Sequence, residues 1–500
     1  MRDILKNYSI DKNVVENYGA EILKVKECPA LDNIGSGKVI LVTAITPTKY
    51  GEGKTTMNIG LSQALNLVGK KAVSCLREPS LAPVFGVKGG ATGGGKCQIL
   101  PSNEINLHFT GDMHAIGAAQ NLICAMLDNH IFHKLSPKVQ EGTALIKRAI
   151  DISDRTLRDK FELTAACELM AIVCLSKNLT DLRERISRMV IAYTELGEEV
   201  TPETIGAVGA VMSLLKDAFR PNLVRTTENT LAIVHGGPFA NIAHGCNSVR
   251  ATTLGTNIAD YVVTEAGFGS DLGAEKFFDI KCKQSGIEAS AVVIVATIKA
   301  MLGQGSMEEG LWNLGKHINS IRCFGLPFVV CLNKNKDDCD KDIDKFIEYC
   351  TRWEYEFSIC EAYEKGGEGA IDLAYKVIDA ATEPKKAFRP YREQQTLEEK
   401  IESLCRNIYY STDIIFSPEA KIKLDFLQKD YGSLDICVAK TPMSITTDQT
   451  LLGKVGELRE IKTHIRDVSL RSGAGFIVVY TGSVVTLPGL PERPSACDIV

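Results

Sequence analysis

A chain of 500 residues is too long for one hydrophobic core, so two to four structural units are expected. Its 45% apolar and 24% charged residues are those of a globular protein, and a net charge of −5 removes the electrostatic case for a nucleic-acid partner. No apolar run is long enough to cross a membrane, the N-terminus has no signal-like apolar core, and sixteen scattered cysteines form no C-x-x-C pair; a cytoplasmic protein with reduced, mostly buried thiols is expected.

KVILVTAI (38–45) is a β-branched run of the kind buried in a parallel sheet. The loop TPTKYGEGKTT (46–56) follows it. Met57, Leu61, Ala64, Leu65 and Val68 then fall on one helical face, Gly69 ends the helix, and KAVSCL (71–76) is a second strand. Further strands are expected at 230–235, 260–265, 291–297 and 326–333, with helix-like stretches at 163–175 and 311–321. This alternation predicts an α/β fold, a doubly wound and mostly parallel sheet with ligand at the carboxyl ends of its strands. The charged stretch 333–345 is expected to be a surface loop leading to a smaller unit, and a second polar stretch, 383–395, to precede a helix. A strand is expected in GFIVVYTG (475–482).

The loop 46–56 ends as phosphate-binding loops end. In G-x-x-x-x-G-K-[ST] the backbone amides wrap phosphate, the lysine neutralises it and the hydroxyl ligates Mg²⁺. Gly53, Lys54 and Thr55 supply that ending, whereas Thr48 stands where the first glycine should be. The ATP-contacting set is therefore Thr48, Lys49, Tyr50, Gly51, Glu52, Gly53, Lys54, Thr55 and Thr56, with Thr55 as the metal ligand. Lys49 lies five positions before Lys54, the spacing of loops whose extra lysine reaches phosphate across a subunit interface; a solvated loop tip is the other reading.

After the second strand comes REPSLAPVFGVKGGATGGGK (77–96), which places Arg77 and Glu78 at a strand end facing the same crevice. Its glycines leave backbone amides bare, and an arginine there suits charge developing in phosphoryl transfer. His108, Asp112 and His114 lie in INLHFTGDMHAI (105–116) at a spacing that does not suit zinc, so a general polar role is expected for them. HGGPFANIAHG (235–245) and TEAGFGSDLGAEKFFD (264–279) each follow a strand as active-site loops do.

Together these blocks, with SGAGFIVVYTG and LPGLP near the C-terminus, resemble the formate–tetrahydrofolate ligase family from about residue 46 onward. The resemblance implies a P-loop NTPase-like domain (1–312), a second α/β domain on the folate side (313–409) and a C-terminal α/β domain (410–500). It implies MgATP, formate and tetrahydrofolate as ligands and a homo-oligomer, a tetramer. Lys54, Arg77, Glu78 and His108 take catalytic positions, with a monovalent-cation site near Glu78. Asn335 and Tyr363 take the folate-binding positions.

The departures cluster on the acceptor side. Where the family reads N-R-F-P-T-D this chain has NKNKD (333–337), so Asn335 replaces a stacking phenylalanine, a contact worth about 1 kcal/mol. Tyr363 replaces a tryptophan, MSITTD (443–448) replaces Y-S-L-S-D-D, Lys49 replaces a proline, and a segment before DKFELTAACELMA (159–171) is shortened. Two alternatives follow: activation of formate or another small carboxylate for a different amine, or a P-loop ATPase switch without ligase activity.

Overall fold

The computed structural model describes residues 1–29, 32–48, 51–88, 90–382, 385–453, 460–482 and 484–498. In chain order, ten strands form the body of a twelve-stranded sheet: β1 (Val15–Tyr18), β2 (Ile22–Val25), β3 (Lys38–Ala44), β4 (Ala72–Leu76), β5 (Asn222–Thr226), β6 (Leu231–Val234), β7 (Tyr261–Glu265), β8 (Ala289–Ala296), β9 (Phe328–Asn333) and β10 (Phe357–Cys360). Their spatial order is β1-β2-β5-β6-β4-β7-β3-β8-β9-β10, and a short hairpin (Gly93–Gly94 with Cys97–Leu100) attaches at β5. From β6 to β10 every pairing is parallel, while β1, β2, β5 and β6 pair antiparallel.

Both faces of the parallel part are buried, as its unbroken apolar strands require. In β8, Val292, Ile294 and Ala296 enter one core layer while Ala291, Val293 and Val295 enter the other. The second layer is completed by α1 (Lys54–Leu67), through Met57, Ile59, Leu61, Ala64 and Leu65. After α2 (Asp112–Phe132), α3 (Glu168–Leu175) and α4 (Val249–Ile258), the chain supplies α5 (Met307–Cys323), which covers the first layer with Leu314, Ile318 and Ile321. α6 (Asp340–Arg352) and α7 (Ile371–Ala380) then return to opposite faces. Helices on both sides of a mostly parallel sheet make the doubly wound arrangement expected above.

The helix expected at 163–175 begins later: a short strand, Phe161–Leu163, and a 3₁₀ turn precede α3. The expected surface loop 333–345 is helix from Asp340, because Ile343 and Phe346 pack into the core while the charges of α6 face out. The long sheet also runs past residue 312, taking in β9 and β10.

Two smaller sheets follow α8 (Leu397–Tyr409), whose N-terminus is closed by a reciprocal Thr396–Glu399 capping box. β11 (Asp413–Phe416) pairs with β13 (Lys462–Ile465), and α9 (Pro418–Tyr431) lies between them in sequence. β12 (Asp435–Ala439) and β14 (Asp467–Arg471) flank β15 (Phe476–Tyr480). All sixteen cysteines are free thiols. Among the described residues no helix is long and apolar enough to cross a membrane.

Beneath this core Glu275 and Asp279 are fully buried, and none of their four oxygens has a donor among the described residues. Two carboxyls buried side by side disfavour a second negative charge. Burial raises both carboxyls, Glu275 to about 7, and the neighbouring Glu275 pushes the Asp279 carboxyl up further. Lys276, 3.7 Å away, opposes the shift on Glu275, and Asp271, Tyr391 and Tyr409 also border the pair. With the folded value above the ordinary 4.5, stability from this group is full below pH 4.5 and declines as pH rises through about 7. Glu275→Gln is therefore expected to flatten the fall in urea-unfolding free energy between pH 5 and 8, a change on the order of 1–3 kcal/mol; an unchanged slope would assign the decline to other groups.

Candidate functional site

The loop that follows β3 lies at the carboxyl edge of the parallel part of the sheet, formed by seven strands from β6 to β10 in spatial order. Gly53 caps the N-terminus of α1 with φ +72°, and a Cβ there would lie 2.6 Å from Asn333 Nδ2, so both conformation and space demand glycine. Glu52 is buried, and its carboxylate accepts from the Thr48 N–H at 2.6 Å and from the Thr297 hydroxyl just beyond β8. Asn333, the last residue of β9, donates to the Glu52 carbonyl at 3.2 Å. Lys54 and Thr55 thus open α1 with its first amides facing the crevice, an anion-favouring end. Lys49 and Tyr50 lie outside the described residues.

The Thr55 hydroxyl donates to the Glu265 carboxylate, 2.9 Å from Oε2 and 3.2 Å from Oε1. Glu265 ends β7, the strand between β3 and β4, and is buried. A hydroxyl against a carboxylate beside a phosphate loop is an oxygen donor set of the kind Mg²⁺ takes. The residues present therefore fit that ion, although no cluster of three or more His, Cys, Asp or Glu with metal-binding geometry occurs among the described residues.

Arg77 follows β4. Its Nη1 donates to the Pro238 carbonyl at 3.4 Å, its Nε is buried without an acceptor among the described residues, and its guanidinium closes on Gly267, where a Cβ would be 3.0 Å from Nη1. Glu78 is buried with no donor to Oε2 among the described residues, and burial together with the nearby Asp112 raises its carboxyl well above the usual range. Lys24 answers these charges: its Nζ lies 2.8 Å from Asp112 Oδ1, and it donates to the carbonyls of Asp217 and Arg220. Asp151 joins the group, its carboxyl pushed up to about 6 by burial. His108 and His114 are exposed; the nearby His108 favours the ionised form of Asp151.

The residues expected on the acceptor side, Asn335 and Tyr363, lie on adjoining loops. Lys334 N–H donates to the Cys360 carbonyl at 2.9 Å, and Lys334 Nζ lies 3.9 Å from Glu361. Asn335 is exposed, with its N–H held by Asp338 at 2.8 Å. Tyr363 is 55% exposed, and its carbonyl accepts from Lys96. Its ring packs on Gly94, where a Cβ would lie 2.8 Å from the ring and 3.7 Å from Thr56 Oγ1, so this aromatic borders the phosphate loop.

The fold thus brings Gly51–Thr56, Arg77, Glu78 and Tyr363 to one edge, with Asn335 on the loop beside them, and leaves His108 on the surface near Asp151. Sequence reasoning did not single out Glu265, Thr297, Asp151 or Lys24. Glu265 carried a usable signal, an acid closing the apolar run YVVTE at a strand end. The others come from distant segments with no motif.

A model of the family described as formate–tetrahydrofolate ligase matches residues 1–500. The chain belongs to the formate–tetrahydrofolate ligase family. Among its curated relatives are the enzymes named formate–tetrahydrofolate ligase from Methylorubrum extorquens strains PA1 and AM1. Each is 46% identical over 531 aligned residues, covering 99% of this chain and 95% of the relative. The alternative of an ATPase switch has no counterpart in these matches.

If Thr55 and Glu265 share a metal, Glu265→Gln will weaken MgATP binding about tenfold or more while changing metal-free ATP binding less than twofold, as isothermal titration with and without EDTA would read. Equal losses in both would leave Glu265 a support for the loop alone.

Proposed function

We propose that this chain ligates formate to tetrahydrofolate at the expense of ATP, giving 10-formyltetrahydrofolate, ADP and phosphate. The observation that carries this reading is the meeting of Lys54, Thr55 and Glu265 with Arg77 at one sheet edge, in a chain matched along its whole length by that family. In functional terms residues 1–312 hold the nucleotide in a P-loop NTPase-like unit, 313–409 supply the acceptor side, and 410–500 close the C-terminal side, with β9 and β10 of the second segment built into the long sheet.

A carboxylate is a poor electrophile, so it must first gain a leaving group. A formate oxygen attacks the γ-phosphorus, the bond to the ADP oxygen breaks, and formyl phosphate forms. Lys54 and the α1 amides hold the phosphates in place, and Arg77 offsets charge on the transferring group. Thr55 and Glu265 would hold Mg²⁺, which when bound neutralises phosphate charge. The folate N10 then attacks the formyl carbon, the carbon–oxygen bond breaks, phosphate leaves, and N10 gives up its proton. Asn335 and Tyr363 face the acceptor, with Tyr363 stacking from one side. Glu78 and Asp151, whose Oε2 and Oδ1 have no donors among the described residues, suit a monovalent cation, although the Lys24 ammonium already supplies one positive charge there. A second reading, a different amine acceptor, is favoured by one observation: the Asn335 position carries no aromatic ring.

Formation of 10-formyltetrahydrofolate from formate, ATP and tetrahydrofolate, followed by mass spectrometry, is the direct test. Lys54→Met is expected to lower kcat/KM by about 10²–10³. Asn335→Phe is expected to lower the KM for tetrahydrofolate about fivefold, a gain near 1 kcal/mol. Formate-dependent phosphate release without a formyl-folate product would favour the different acceptor.

A further inference from the structure

Away from the phosphate loop, the C-terminal unit meets the segment 145–162 around a cavity of about 510 Å³, a size within the roughly 300–1,000 Å³ of small-molecule sites. None of its lining residues belongs to the crevice described above. One side is built by β14, by Tyr480 at the end of β15, and by Lys423, Phe426 and Leu427 of α9. Two hydrogen bonds join the opposite side to the chain that follows β15. The Leu163 N–H donates to the Thr486 carbonyl and Arg158 Nε to the Leu487 carbonyl, both at 3.1 Å.

The lining has two chemical characters. Leu145, Phe426 and Val485 present apolar surface to the cavity and remain 44%, 53% and 41% exposed. Phe426 stands edge-on to Tyr193, with ring centroids 6.1 Å apart and planes at 80°, which makes an aromatic corner. Apolar side chains gathered in one concavity mark a place where an apolar body can leave water. The second character is positive. Lys423 is matched by Asp467 at 2.6 Å, and Arg471 lies 3.6 Å from the buried Glu162. Lys147, Arg158 and Arg466 also line the cavity, and none of the three makes an ion pair among the described residues. Lys147 Nζ donates to the Arg158 carbonyl at 3.3 Å and, standing near Glu162, favours its ionised form. Arg158 uses only Nε, for Leu487, so its two Nη groups have no partner among the described residues. Against these three cations stands one lining carboxylate that likewise lacks an ion pair there, Asp159. The Ser469 and Tyr480 hydroxyls, 3.3 Å apart, add a neutral polar contact.

We propose that this cavity is a second binding site and takes an aromatic dianion, its ring against Tyr193, Phe426 and Val485 and its acidic groups facing Arg158 and Arg466. The charge of the ligand follows from the wall: with Asp159 offsetting one of the three unpaired cations, two positive charges are left to answer. Arginine suits that task, because its planar guanidinium offers paired N–H donors to the oxygens of a carboxylate or a phosphate. The aromatic corner selects a flat ring as the body. The site stands on these residues alone and is independent of the ligase reading.

Isothermal titration of the full chain with naphthalene-2,6-dicarboxylate, 2-naphthyl phosphate and neutral 2-naphthol tests charge and body separately. At least one of the two dianions is expected to bind about tenfold or more tightly than 2-naphthol, with an affinity that falls as salt is raised. The tighter of the two tells a carboxylate ligand from a phosphate ligand. Arg158→Gln combined with Arg466→Gln is expected to weaken dianion binding about tenfold or more while changing 2-naphthol binding less than twofold, and Phe426→Ser is expected to weaken all three probes. All three of these side chains are exposed, so the substitutions leave the core untouched. Lys54→Met, which removes the charge of the phosphate loop, is expected to change dianion binding less than twofold. Dianions that fail to bind, or that bind no more tightly than 2-naphthol, overturn the inference. So does binding that Lys54→Met abolishes and the arginine pair leaves intact, since the probe then occupies the phosphate loop.

Discussion

The carboxylate of Glu52 is the interaction on which the rest of the crevice depends. It is buried inside the loop it belongs to, accepts from Thr48 on one side and from Thr297 at the end of β8 on the other, and its own carbonyl takes the amide of Asn333 at the end of β9. One residue therefore fastens the phosphate loop to two neighbouring strands. Because the parallel sheet is covered on both faces, its carboxyl edge is where side chains from separate strands can converge on a ligand. Thr55 meets Glu265 and Arg77 meets Gly267 there because β3, β7 and β4 are adjacent in space although far apart in sequence.

Charges inside this protein are kept in arrangements that answer them locally. Lys24 has Asp112 and two carbonyls, Lys440 has Asp271 and two carbonyls, and Glu275 and Asp279 have one another. Such groupings add little net stability but admit few alternative packings, since each wrong arrangement leaves a charge stranded in a low-dielectric core.

Much of the architecture was legible in the sequence. β-branched runs such as 291–297 read as buried strands because both faces are apolar, and the glycine loop at 51–53 announced the turn into α1. The errors came where tertiary packing overrides local polarity: the charged stretch 333–345 reads as a surface loop, yet from Asp340 onward it is helix, anchored by Ile343 and Phe346. In the site, the loop 51–56, Arg77 and Tyr363 could be placed because each sits beside a glycine-rich motif or a strand end. Asp151 and Lys24 could not, because long-range pairing assembles them and no local spacing encodes it.

The hairpin at 93–97 carries one further consequence. A side chain at Gly95 would be driven to within 2.0 Å of the Tyr363 carbonyl, and one at Gly94 into the Tyr363 ring. The loop carrying Tyr363 and the glycine turn are thus a single mould in two pieces. Neither can be recast in evolution or by engineering unless the other changes in the same step.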